Sequence, residues 1–246
     1  MTTHRILGVI FVLTLSGCSG APDNQQPAQP QISSTAQDSA KWTVTDGIEA
    51  PESVFVDTAS GFTTSGFIFV SNVSGAPDQR DGKGFISKLS NEGKLITASW
   101  VSGLNAPTGL RGHNGTLWTA DLDEVIGIEM ASGKITSRTK IDDAKFLNDV
   151  AVGDDGTVYV SDTVASRIYA VKDGKSSVFA EGDDIEYPNG LLVEGNRIVV
   201  GGWGKPEADF STKVPGRLFS LDLKTKKKTL ITPEPTANID GVESDG

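Results

Sequence analysis

Five short motifs place a side-chain oxygen at the same point: "PESV" (51–54), "PTGL" (107–110), "LNDV" (147–150), "PNGL" (188–191) and "IDGV" (239–242). Their second residues, Glu52, Thr108, Asn148, Asn189 and Asp240, are spaced by 56, 40, 41 and 51 positions. Each motif reads as a turn before a strand. Pro188 fixes φ, and Asn189 and Gly190 tolerate positive φ. A turn alone needs only Gly, Ser or Asn, so the carboxylates of Glu52 and Asp240 require a further reason. If the turns meet, two carboxylates about 5 Å apart repel by roughly 3 kcal/mol at an effective dielectric of about 20. A cation removes that penalty. Carboxylate and amide oxygens without His or Cys describe a hard-ion site, Ca²⁺ first, with Mg²⁺, Mn²⁺ or Zn²⁺ as alternatives.

The elements that must position these residues are strands. Apolar residues recur at period two, and Gly, Asp, Asn or Pro interrupts nearly every ten residues, so the class is all-β. Four segments are alike: "GFIFVSN" (66–72), "GTLWTAD" (115–121), "GTVYVSD" (156–162) and "NRIVVGG" (196–202). Their matching residues Phe69, Trp118, Tyr159 and Val199 are 49, 41 and 40 positions apart. A period of about 40 to 50 residues with several short strands per repeat predicts a β-propeller, one four-stranded blade per repeat. Taking the four alike segments as the innermost strands, the five turns gather at one mouth of the central channel and bring five side-chain oxygens together. Outer hairpins follow at 167–182 and 217–232.

In this order and spacing, "PESVFVD", "NDVAVGDDGTVYVSD", "PNGLLV" and "DGVESDG" resemble the senescence-marker-protein/gluconolactonase/regucalcin family of six-bladed propellers, over about residues 42–246. The resemblance implies that Glu52, Asn189 and Asp240 hold one divalent cation. It places Asn148 beside the ion, touching substrate, or ligating as in the related paraoxonases. It further implies lactone hydrolysis: the metal polarises the ring carbonyl and acidifies a bound water, and Asp240 accepts the proton. The family often has an Arg for sugar-acid oxygens where this chain has Phe146, which points to a less polar lactone or ester. Trp203, in "GGWG" (201–204), is a candidate pocket wall for substrate, or the cap of a blade. Asp149, Asp154 and Asp155 read as turn formers, and Asp149 could reach the ion from the second sphere.

The N-terminus describes an address. After His4 and Arg5, the apolar run Ile6 to Leu15 is too short to span a bilayer and typical of a signal-peptide core. "LSGC" follows and resembles the lipobox of bacterial lipoproteins, which makes residues 1–17 the signal and Cys18 the lipidated N-terminus. Ser19 favours the outer membrane, facing the periplasm. Residues 19–40 have no aromatic residue, three prolines and five glutamines, too little apolar surface to offset chain entropy. As a flexible coil this tether holds the domain roughly 25 Å from the membrane.

Other chemistries are excluded more simply. Cys18 is the only cysteine, so disulfides within the chain and Cys-based metal sites are not available. A formal charge of −10 argues against nucleic acid, and Lys226 to Lys228, the one basic run, reads as a solvated hairpin edge. His113 lies in a hairpin turn, and no Gly-x-Ser-x-Gly elbow supports a Ser-His-Asp triad. Two functions remain: a metal-dependent hydrolase of lactones or esters in the cell envelope, and a propeller that binds a ligand or protein around a structural ion. A strictosidine-synthase-like enzyme is a more distant third. From Lys41 the chain supplies about four and a half blades, with Asp240 opening a blade whose body does not follow. The expectation is an open arc, a shortened form of a six-bladed protein, with the Asp240 segment loosely held at its end.

Overall fold

The computed structural model describes residues 42–57 and 66–244. The lipobox, Cys18 and the tether lie outside the described residues. Four antiparallel four-stranded sheets follow one another along the chain, each an up-and-down meander. The first contains β1 (Pro51–Val56), β2 (Phe67–Asn72), β3 (Gly84–Ser90) and β4 (Leu95–Leu104). The second contains β5 (Pro107–His113), β6 (Thr116–Asp121), β7 (Glu124–Glu129) and β8 (Ile135–Lys140). In the third are β9 (Leu147–Val152), β10 (Val158–Asp162), β11 (Arg167–Lys172) and β12 (Lys175–Glu181). The fourth is made by β13 (Pro188–Glu194), β14 (Arg197–Gly202), β15 (Leu218–Asp222) and β16 (Lys228–Leu230).

These are propeller blades. β1, β5, β9 and β13 pack against one another in chain order, so the first strand of each blade lines the axis. The strand assignment from sequence therefore shifts by one. The four alike segments are the second strands β2, β6, β10 and β14, and four of the five oxygen-bearing motifs, all but 239–242, lie inside the first strands. The cause is pairing: Pro188 already faces Gly202 across the ladder, so "PNGL" is strand from its first residue.

The core lies between blades, where the apolar faces of neighbouring sheets meet. Phe69, Ile86, Leu104, Leu110, Leu117 and Ile126 fill the first interface. Val125, Leu147, Val150, Val160 and Tyr169 fill the second, and Tyr159, Ile168, Phe179, Leu191 and Phe219 the third. Residues 239–242 cover the outer face of the fourth blade, with Ile239 and Val242 against Val199 and Leu218. They form no strand. Val54 and Val56 of β1 are exposed. Lys228 departs from a solvated edge: its Nζ bonds Glu186 Oε1 and the Asp184 carbonyl, both at 2.5 Å, and so ties β16 to the loop before β13.

Candidate functional site

The first strand of each blade carries the same irregularity. β1 pairs Pro51 with Asn72 and Val54 with Val70, three steps on one strand against two on the other. β5, β9 and β13 repeat it between Pro107 and Leu110, Leu147 and Val150, and Pro188 and Leu191. Such a bulge bends the strand and re-aims a side chain. The bulged residues are the motif residues: Glu52 and Ser53, Thr108 and Gly109, Asn148 and Asp149, Asn189 and Gly190. The expected turn is thus a bulge, and positive φ falls earlier, at Glu186 and Tyr187, both at 55°.

A bulge frees backbone groups that must find partners. In two blades serines of the second strands supply them: Ser53 N–H donates to Ser71 Oγ and Asp149 N–H to Ser161 Oγ, each at 2.9 Å. Ser161 Oγ also donates to the Asn189 carbonyl at 2.7 Å, joining the third blade to the fourth. The segments entering the first strands are fixed by the ends of the second strands. Asp121 accepts from Asn105 and Ala106 N–H, Asp162 from Lys145 and Phe146 N–H, and Asn72 Oδ1 from Glu49 N–H.

Glu52, Asn148, Asp149, Asp240, Arg111 and Glu243 line a cavity of about 330 Å³, with apolar surface from Val54, Leu110 and Val242. Asn189 is buried beside it, hydrogen-bonded through its side chain to Asp240. Its Oδ1 is buried without a hydrogen-bond partner. The four residues expected to hold a cation are therefore neighbours. Thr108 is not among them: its hydroxyl donates to the Asn148 carbonyl at 2.5 Å and holds β9 against β5. Trp203 does not line this cavity either. Its N–H is fixed by the Tyr187 carbonyl and its Nε1 donates to the Phe210 carbonyl at 3.1 Å, which keeps it on the loop after β14. Phe146 stacks against Phe210 of that loop, ring centres 5.4 Å apart.

The carboxylates strain one another. Burial, then Asp240 and Asp149, push the Glu52 carboxyl up to about 8. Burial pushes Asp149 to about 6, although Arg111 and the N–H groups of Leu191 and Val150 pull the other way. Asp240 is also raised by burial and held back by Asn189, yet it stays open to solvent in the channel. Among the described residues no three acidic, imidazole or thiolate groups form a ready-made metal cluster, so a cation here would use amide as well as carboxylate oxygens.

Two positions on the cavity wall are only faintly legible in the sequence. Asp149, by type a turn former with second-sphere reach of the ion, sits in the buried acidic group. Arg111 is the sole base on the cavity wall and bonds Glu243 through Nη1 at 2.6 Å across 132 residues. The available signal was register: Arg111 and Glu243 occupy the fifth position of their motifs, "PTGLR" and "IDGVE", with opposite charge.

No family model matches the sequence, and no curated protein matches it significantly. Solved structures do resemble it. A nidogen/laminin complex aligns at TM-score 0.56 with 16% identity, covering 81% of this chain and 70% of that one. A protein of unknown function from Bacteroides caccae aligns at 0.54 with 11% identity, over 82% and 73%. Virginiamycin B lyase from Staphylococcus aureus reaches 0.49 at 14% identity, over 78% and 73%. At such identities the first two likenesses bear on fold alone, and they agree with the four meander sheets: the protein is an all-β propeller.

Proposed function

We propose that the channel mouth is a divalent-cation site of a hydrolase acting on lactones or related esters, in keeping with the gluconolactonase-like resemblance of its motifs. The observation that carries this reading is the buried, unpartnered Oδ1 of Asn189 beside the carboxylates of Glu52 and Asp240. A buried acceptor left unpaired costs about 1–3 kcal/mol, and crowded buried carboxylates cost more unless a charge neutralises them. Oxygen-only donors fit Ca²⁺ best. Glu52, Asn148, Asn189 and Asp240 would hold it, and the bound ion would supply carbonyl polarisation and a more acidic water. Asp240, open to the channel, takes the proton from an attacking water as the new C–O bond forms. The ring or ester C–O bond then breaks, and Asp240 returns the proton to the leaving alkoxide.

A non-catalytic propeller with a structural ion is the second reading. It is favoured by Phe146, which packs on Phe210 at the place where the resembled family often has an Arg. Calcium titration calorimetry, with a lactone and aryl-ester panel assayed with and without chelator, separates the two. Asp240→Asn should cut turnover by about 10² or more while weakening the ion less, and Asn189→Ala should weaken both. Calcium binding without turnover transfers the assignment to the binding propeller. No divalent-ion binding removes both readings. The envelope location rests on the lipobox: Cys18→Ser should abolish lipidation and release the protein from the membrane fraction, as mass spectrometry of the mature N-terminus would register.

A further inference from the structure

Arg111 is the one basic side chain on the cavity wall, facing Glu52, Asp149, Asp240 and Glu243. It offsets the charge of Asp149 without a hydrogen bond to it. Asp149, the most enclosed of the four, spends both oxygens on backbone: Oδ1 on Val150 N–H and Oδ2 on Leu191 N–H, each at 2.8 Å. Arg111 bonds only Glu243, whose side chain is 64% exposed on a segment without regular structure, while that of Arg111 is 15% exposed. Its Nε is buried and has no partner. Guanidinium recognises carboxylate best through two parallel N–H···O bonds, and Glu243 takes only one donor, Nη1. One strong donor is therefore left without a partner, and the partner on the other is displaceable.

We propose that the cavity takes a ligand bearing a free carboxylate, which displaces Glu243 and engages Arg111 side-on through Nε and an Nη. Glu243 stands in for that carboxylate when the site is empty. This deepens the lactone or ester reading of the same cavity and rests on it: the substrate class becomes a small lactone or ester with a carboxylate substituent. The rest of the ligand is a compact apolar skeleton, since Val54, Leu110 and Val242 form the remaining wall and about 330 Å³ suits a small molecule. Arg111 is then the specificity-determining residue, supplied by the second blade and not by the position of Phe146.

Binding can be read without turnover by using a ketone that cannot be hydrolysed, 3-oxocyclopentane-1-carboxylate, against its neutral carboxamide. Titration calorimetry on the intact protein, in saturating Ca²⁺ and again in chelator, should show the carboxylate favoured about tenfold or more in Ca²⁺. Arg111→Gln should abolish that preference and leave the carboxamide unaffected. Glu243→Gln should tighten the carboxylate several-fold by removing its competitor, and this variant changes only an exposed residue. Equal binding of the two probes, binding of neither, a preference that survives Arg111→Gln, or a Glu243→Gln affinity equal to the native one would each overturn the proposal. The two readings fail separately. Calcium binding without a carboxylate preference sinks the anion site alone, whereas a preference that depends on Arg111 in a protein that binds no divalent ion sinks the cation-dependent hydrolase alone.

Discussion

The carboxyl of Glu52 is held in the channel at a cost in folding energy. In an unfolded chain it ionises near 4.5, and in the channel it is pushed to about 8 by burial and by Asp240 and Asp149. Asp149 moves from 3.8 to about 6. Both folded-state values lie above the unfolded ones, so between them the native state binds more protons than the unfolded state, and stability falls as pH rises. The contribution is fully present below about pH 4 and is lost progressively as pH passes 6 and then 8. In chelator, the urea midpoint should therefore decline from pH 5 to pH 8, and Glu52→Gln should remove the larger part of that slope. Calcium should flatten it, because the ion replaces the protons. A chelated protein equally stable at pH 5 and pH 8 would contradict this account of the carboxylates.

At the scale of the element, the repeated bulge bends each first strand and re-aims its side chains at the channel mouth. In the first and third blades, second-strand serines absorb backbone groups that it releases. Ser161 is wholly buried and bonds both Asp149 N–H and the Asn189 carbonyl. Ser161→Ala leaves one donor and one acceptor without partners, and should cost about 1–3 kcal/mol in denaturant unfolding. It should also weaken ion binding, since Asn189 loses its tether to the third blade. Gly190 serves the next junction. A Cβ there would meet the Asp240 carbonyl oxygen at 2.6 Å and Gly241 C at 2.9 Å, backbone atoms that cannot swing aside. Gly190→Ala should push residues 240–242 off the fourth blade, lowering ion affinity at least tenfold and speeding proteolysis after residue 231. The rest of the fold should melt nearly as before, because only Ile239 and Val242 join that segment to a core.

For the whole molecule, stability resides at the seams between blades. Phe219 is fully buried at the seam between the third and fourth blades, among Leu191, Ile198 and Phe179. Phe219→Ala should cost about 3–5 kcal/mol, measured by urea unfolding. Surface pairs should contribute far less. Lys172 meets Asp155 at 2.6 Å with both side chains half exposed, and Lys172→Met should change stability by less than about 1 kcal/mol. The same packing that makes the seams stable brings blades far apart in sequence to one axis. Arg111 of the second blade and Glu243 beyond the fourth thus become partners.

Local chemistry was legible in the residue order. Alternating apolar residues with Gly, Asp and Asn between them specify short antiparallel strands, and their recurrence near every 40 residues specifies blades, because both signals act over a few residues at a time. Glu52, Thr108, Asn148, Asn189 and Asp240 were recognisable as a recurring set for the same reason: they stand at one point of the repeat. What the sequence left open depends on register. Whether "PNGL" is a turn or a bulged first strand is decided by the pairing of Pro188 with Gly202, and a shift of one residue in a strand reverses the face of every side chain. That register turned Thr108 toward the Asn148 carbonyl and away from the oxygen set. It carried Asp149 into the buried acidic group and exposed Arg111 to the same cavity. These placements are non-local, fixed by the packing of each first strand on the next, and only the assembled propeller determines them.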